Sequence, residues 1–438
     1  MRQVNVHDIL SKAKFNAFFL FIWTVCFACM FFDGYDAQLY GVAMPTMAAQ
    51  LDFGPEVAGI LGSANFWGAF VGAIICGFLT DKLGRKKMLV AAIVVFSIFT
   101  ALCATVNENM ILFYAYRFLA GAAIAIVPPV TVALISEYSP AKNRRFLLVA
   151  NGCGLTLGMM LGGVIGRFIL PIFGWQVLFA TAIIGLACIP FILKLPETMV
   201  AYRLKGETDR IKKILVKADS NFVPKDDDEY IIHQTEVVNT SVTELFKNGL
   251  ARNTILIWIL AFLNMFVIAA MQTWLPQLGV IIGFDVSDVP TLIIIMSSGM
   301  FVGHFIWGLI SNKIGYKKSL IICYLCIALF LILMTVGGGE VFFGVALFFY
   351  GVSQATMALT QPFTASNYPI SIRGTGLGMH EAAKRVGGMV SPIVIGVLVG
   401  AGLGAPDVFR FLAAVAILGL VTLLLTKALR FDADKKYD

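Results

Sequence analysis

Apolar residues in this chain gather into runs instead of alternating with polar ones. Twelve runs of about twenty residues or more lie at approximately 15–41, 57–80, 88–107, 110–136, 147–170, 175–195, 254–282, 290–311, 318–337, 341–366, 375–401 and 408–428. About twenty apolar residues in helical form cross the hydrocarbon of a bilayer. The ten-residue alternating segments of an outer-membrane barrel are missing. The pattern predicts an all-α membrane protein of twelve transmembrane helices, here called spans 1 to 12. The polar stretch 196–253 divides it into a six-helix half at 1–195 and another at 254–438. Within that stretch, 199–216 mixes apolar and basic residues at helical spacing and reads as a surface helix. Ser241-Val242-Thr243-Glu244 reads as a capping box before span 7, and Asp226-Asp227-Asp228-Glu229 as a solvated turn.

The two halves repeat one another. Gly77-Phe-Leu-Thr-Asp81-Lys82-Leu-Gly84-Arg85-Lys86-Lys87 recurs 231 residues later as Gly308-Leu-Ile-Ser-Asn312-Lys313-Ile-Gly315-Tyr316-Lys317-Lys318. Ser136-Glu137-Tyr138 recurs as Ser366-Asn367-Tyr368 at an offset of 230. Six spans on each side of the central loop make the repeat a parallel one. At these offsets Asp33 meets Asn264, Asp81 meets Asn312 and Glu137 meets Asn367. Asparagine keeps the hydrogen bonds of an acid but cannot titrate. Proton chemistry is therefore expected in the N-terminal half, with Glu137 beside Asp33 and Asp36 as proton-coupling groups.

Composition agrees with membrane residence: of 438 residues, 59% are hydrophobic and 13% charged, against about 25% charged in soluble domains. Taken alone, the net charge of +7 points to a nucleic-acid partner, but the placement of the basic residues says otherwise. Lys82, Arg85, Lys86, Lys87, Lys142, Arg144, Arg145, Lys313, Lys317, Lys318 and Arg373 fall in alternate loops. The loops around 52–56, 108, 285–288 and 340 contain no Lys or Arg. This bias puts the basic loops and both termini in the cytoplasm; Arg167 and Arg410 are exceptions. The first apolar run has the length of a retained span, not of a cleaved signal. All eight cysteines lie in predicted spans, where a thiol packs as a small apolar group. Cys323-Tyr-Leu-Cys326 has no companion ligand, so no metal site is expected. Neither a cofactor nor an enzyme's nucleophile–base pair is expected.

Asp33-Gly34-Tyr35-Asp36 carries the densest chemistry. A carboxylate inside a membrane helix costs roughly 2.5–3.5 kcal/mol at the centre. At i and i+3 the two acids share a helix face. Proton binding is the functional reading; pairing with an intramembrane arginine is the structural one. Arg385 stands about ten residues into span 11, roughly 15 Å deep at 1.5 Å per residue, and Arg117 lies in the outer part of span 4. A guanidinium binds a carboxylate bidentately, so an organic anion is a natural ligand. Internal pairing of Arg117 with Asp33 or Asp36, and of Arg385 with Glu381, is the alternative. Tyr35, Asn264, Gln272, Trp274, Gln354 and Gln361 are candidates to complete a substrate pocket, each against a packing role. His304, in mid-span 8, is either a pocket and relay group or a packing histidine.

In the hairpin, Gly77 permits close helix packing, Gly84 supports the tight turn, and Asp81 can meet a cation or a helix end. The hairpin and the 6+6 repeat resemble the major facilitator superfamily. Asp33-Gly34-Tyr35-Asp36 with Leu39-Tyr40-Gly41-Val42, and Arg117-Phe118-Leu119-Ala120-Gly121 with Ser136-Glu137-Tyr138-Ser139-Pro140, narrow the resemblance. With Tyr368-Pro369, Arg373-Gly374-Thr375-Gly376 and Arg385-Val386-Gly387-Gly388, they are similar to the aromatic acid:proton symporters. The resemblance implies proton-coupled uptake of an aromatic carboxylate by alternating access. It implies that Asp33 and Asp36 couple protons, that Arg385 and Arg117 bind the anion, and that Gly77, Asp81, Gly84 and Arg85 gate. It places the chain in a bacterial inner membrane, working as a monomer. Carriers of nicotinate, a sugar acid or an exported drug, and a non-transporting sensor, are the alternatives. Ala123 and Pro128-Pro129 in span 4, and His380, Glu381 and Lys384 in span 11, depart from the family pattern.

Overall fold

Lipid offers no hydrogen-bonding partner, so each apolar run must satisfy its own backbone, and the helix does so within a single segment. The computed structural model describes residues 2–204, 206–219, 222–225, 228–231, 241–427 and 429; for residues 2, 77, 78, 81, 82 and 204 it describes the backbone alone. The spans are Ala17–Leu51, Pro55–Leu83, Arg85–Leu102, Met110–Tyr138, the two arms of Ala141–Ile192, Ala251–Ile282, Val289–Ile314, Tyr316–Leu333, Gly339–Ser366, Ile370–Gly400 and Ala405–Leu425. Ala141–Ile192 makes two crossings because Gly174 breaks it at φ 77°, a backbone region open to glycine. Asn16 caps span 1, its Oδ1 accepting the Phe18 N–H at 3.0 Å.

The repeat read from the sequence reappears in the packing. Gly68 lies so close to span 4 that a Cβ would come within 1.9 Å of the Phe118 carbonyl oxygen; its counterpart Gly299 would come within 2.1 Å of that of Phe348. Gly158 against Phe31 and Gly387 against Phe262 repeat the relation between spans 1 and 5 and between spans 7 and 11. The tight turns match too: Gly84 has φ 89° and Gly315 φ 86°. Span 4 breaks at Ala125-Ile126 and span 10 at Gln354-Ala355. In span 4 the cause is chemical, since Pro128 and Pro129 lack the N–H groups that would bind the carbonyls four residues back. No proline explains the break in span 10.

The halves meet along span pairs 1–7, 2–11 and 5–8, near the end of the bundle opposite the basic loops. There Gln38 Nε2 donates to the Gln272 carbonyl at 3.0 Å. Gly59 abuts the Pro392 carbonyl, Gly396 that of Pro55, and Gly163 that of Pro290. A helix pair, Met199–Leu204 and Thr208–Ala218, lies under the N-terminal half at the basic end, with Ile211, Leu215 and Ala218 buried. Two details differ from the sequence reading. A short parallel ribbon pairs Arg2–Asn5 with Asp228–Ile231, which includes part of the acidic stretch read as a turn; Asp226 and Asp227 lie outside the described residues. Ser241 caps a 3-10 turn, but Glu244 pairs with Lys247 at 2.6 Å and so does not complete a capping box.

Candidate functional site

The two aspartates of span 1 share a helix face but have different surroundings. Asp36 is fully buried: its Oδ1 accepts from Arg117 Nη1 at 2.7 Å and from Thr100 Oγ1 at 2.7 Å, and its Oδ2 from Asn65 at 3.4 Å. Arg117 also lies over the Phe179 ring, 5.8 Å from its centroid. The internal pairing therefore holds for Arg117, which in this conformation has no free face for a substrate. Removing one member of such a pair leaves an uncompensated buried charge, at a cost of about 3–5 kcal/mol. Arg117→Ala is thus expected to lower the unfolding temperature in detergent markedly. The double replacement Arg117→Leu with Asp36→Leu should recover much of the loss; an unchanged Tm in the single variant would contradict this account.

Asp33 is half-buried and makes no hydrogen bond or ion pair with another described residue. Arg385 is the charge from the other half that lies within its electrostatic reach. The halves part toward the basic end, where a cavity of about 580 Å³ lies between spans 2, 4, 10 and 11. Arg385, Lys384, Glu381 and Gln361 are on its wall. Glu381 takes Lys384 at 3.0 Å and not Arg385. The guanidinium is left without a direct ion-pair partner among the described residues.

The structure brings few of the other predicted pocket groups to this cavity. Trp274 is buried, its Nε1 donating to the Pro392 carbonyl at 3.0 Å, so it packs spans 7 and 11 together. Gln272 is buried where the halves meet, with Nε2 against Met159 Sδ at 3.8 Å. The Tyr35 hydroxyl bonds to Thr181 within its own half. Asn264 donates to the Tyr324 hydroxyl at 3.0 Å, away from the cavity wall. Gln354 donates to Tyr350 at the span 10 break. His304 is half-buried in span 8 and does not line the cavity. In each case a local hydrogen bond or a packing position takes the side chain elsewhere. Glu381 and Lys384, read from the sequence as a possible partner of Arg385 and as departures from the family pattern, stand on the wall as well; their i, i+3 spacing beside Arg385 was the signal that places them there.

Glu137 also sits apart from the aspartates. At the basic end its Oε2 is 3.5 Å from Arg85 Nη1, and its Oε1 accepts the Met199 N–H at 2.7 Å. Beside it, Glu197 accepts the N–H groups of Arg85 at 2.9 Å and Lys86 at 3.3 Å, where an anion suits the helix dipole. A Cβ at Gly84 would fall 2.6 Å from that carboxylate. In the second half Asn367 Oδ1 accepts the Leu429 N–H at 3.1 Å, the counterpart of Glu137 with Met199. Glu137 thus belongs with the hairpin, and Arg85 is tied within its own half. Gly77 and Asp81, expected to gate, are described by their backbone alone, within Pro55–Leu83. At the far end Arg167 reaches across to Asp288 at 3.0 Å and to Thr291. Among the described residues this is the one ion pair joining the halves, and it accounts for Arg167 as an exception to the charge bias.

Two pseudo-equivalent halves, sealed at one end and parted around buried charge at the other, form the framework of a secondary transporter that exposes one site alternately. The profile of the Major Facilitator Superfamily matches residues 26–368 and 282–436, and the chain belongs to that family. It is 28% identical over 435 residues to the benzoate transport protein of Acinetobacter baylyi, covering 97% of this chain and 93% of that one. It is 27% identical to the gallate transporter of Pseudomonas putida, covering 96% and 94%. In fold it matches the inward-open xylose transporter of E. coli with TM-score 0.76 and 16% identity, over 95% of this chain and 98% of that one. The protein is a multi-pass membrane transporter related to carriers of aromatic acids, not an enzyme.

Proposed function

We propose that this protein is a proton symporter that takes up an aromatic monocarboxylate across the inner membrane, with its basic end and both termini in the cytoplasm. The observation that carries the reading is Arg385: a guanidinium deep in span 11 and on the cavity wall, with no direct ion pair to Glu381, which contacts Lys384 instead, and within electrostatic reach of Glu381 and then of Asp33. Counting charge shows how coupling follows. With Asp33 ionised, Arg385 and Lys384 balance Asp33 and Glu381. A proton on Asp33 leaves one positive charge over, and a monocarboxylate on Arg385 restores neutrality. Proton and anion then favour each other's binding, and the neutral site can be occluded at low desolvation cost. Rocking of the halves breaks Arg167–Asp288 and closes the basic end, exposing the site to the outside. The protein would do this as a monomer.

The test is uptake of labelled benzoate into proteoliposomes that are acidic outside. Accumulation above the external concentration is expected. At zero pH gradient it should ignore an imposed voltage, because a second proton would add about 2.3 kcal/mol per 100 mV. Failure of every ring acid to accumulate, alongside transport of cationic solutes, would overturn the reading. An exporter of cationic drugs has no use for an unpaired Arg385.

A further inference from the structure

The cavity is two-sided in its chemistry. Among the described residues, every charged group on its wall belongs to the C-terminal half, along with the one amide, Gln361. The facing wall, from spans 2 and 4, includes Phe70, Ile74, Ala125, Pro128, Pro129 and Val132. Pro128 and Pro129 lack even a backbone N–H. Cys76 is the most polar side chain described on that wall, and a thiol is a weak hydrogen-bonding group. A ligand bridging the halves therefore meets charge at one end and hydrocarbon along the other. Glu381 stands three residues from Lys384 and four from Arg385, so the wall triad carries a net charge of +1.

We propose that Glu381 and the apolar wall together restrict the site to monoanions with an unhydroxylated apolar body. This rests on the reading of the protein as a carboxylate carrier and adds which carboxylates it accepts. Glu381 acts by charge. A second carboxylate on the ligand leaves the occluded site with a net negative charge and brings like charges together without solvent, which is unfavourable. The wall acts by desolvation. Ring hydroxyls pressed against it lose their water and gain no partner, the more costly outcome for a buried polar group. Substrate polarity is thus rejected by what the two walls lack, as well as by what they repel.

The experiment is competition against labelled benzoate, on the full-length protein in proteoliposomes, by gallate and by benzene-1,4-dicarboxylate. The wild type should bind benzoate at least tenfold more tightly than either. Glu381→Gln should narrow the gap for the dicarboxylate by about tenfold and leave that for gallate unchanged. Ala73→Ser, which puts a hydroxyl on the span 2 wall, should narrow the gap for gallate alone. The two variants lie on different helices and are read independently, so loss of folding in one leaves the other decisive. Equal competition by all three acids in the wild type would overturn this proposal and leave the carboxylate reading standing. Absence of binding by any of the three would overturn both.

Discussion

Replacing Arg385 with alanine should abolish the stabilisation of purified protein by ring acids while leaving the unliganded protein folded. Its guanidinium has no direct partner to orphan, so its removal differs from that of Arg117. Losing one member of a desolvated charge pair costs about 2–5 kcal/mol of binding, at least roughly thirtyfold in Kd. Arg385→Lys keeps the charge but not the bidentate fork and should fall between the two. A thermal-shift titration with benzoate measures this directly. An Arg385→Ala variant that still binds ring acids with wild-type affinity would remove Arg385 from the site.

The second large effect is expected at Asp33. Asp33→Asn keeps the side chain's shape and its capacity to hydrogen-bond but fixes it in an uncharged state, so no proton has to travel with the substrate. Uphill accumulation should collapse to equilibration, whereas exchange of internal for external benzoate should persist. Asp36→Asn should behave differently. It withdraws the anion from a buried Arg117, and its first consequence should be a lowered Tm. Normal accumulation by Asp33→Asn would end its coupling role and move attention to Asp36. The contrast between the variants separates a titrating group from a structural one, although the two acids stand one turn apart.

Much of the architecture was legible because the membrane makes it so. Where the backbone must satisfy itself, an apolar run of sufficient length has one common solution, and the twelve runs emerged as twelve crossings. The 231-residue repeat foretold matching glycine contacts, such as Gly68 with Gly299, because the same tight approach needs the same absent side chain. The site was less legible. A polar residue in a span gives its position along the helix axis but not which neighbouring helix it faces, or whether a local partner has already claimed it. Trp274, Asn264 and Tyr35 were all plausible ligands by type. All three are held by hydrogen bonds to Pro392, Tyr324 and Thr181.

The sequence by itself determined the all-helical membrane fold, the two related halves and the identity of the charged residues, since hydropathy, repetition and charge bias are properties of the chain read in order. Only the tertiary structure decided how those charges pair. Asp36 goes to Arg117 and Glu137 to Arg85, while Asp33 and Arg385 have no direct ion-pair partner among the described residues; Glu381 takes Lys384 from its own helix. The reason is physical: a buried charge is governed by the nearest opposite charge in space, and in a bundle of twelve helices that neighbour usually lies on another helix.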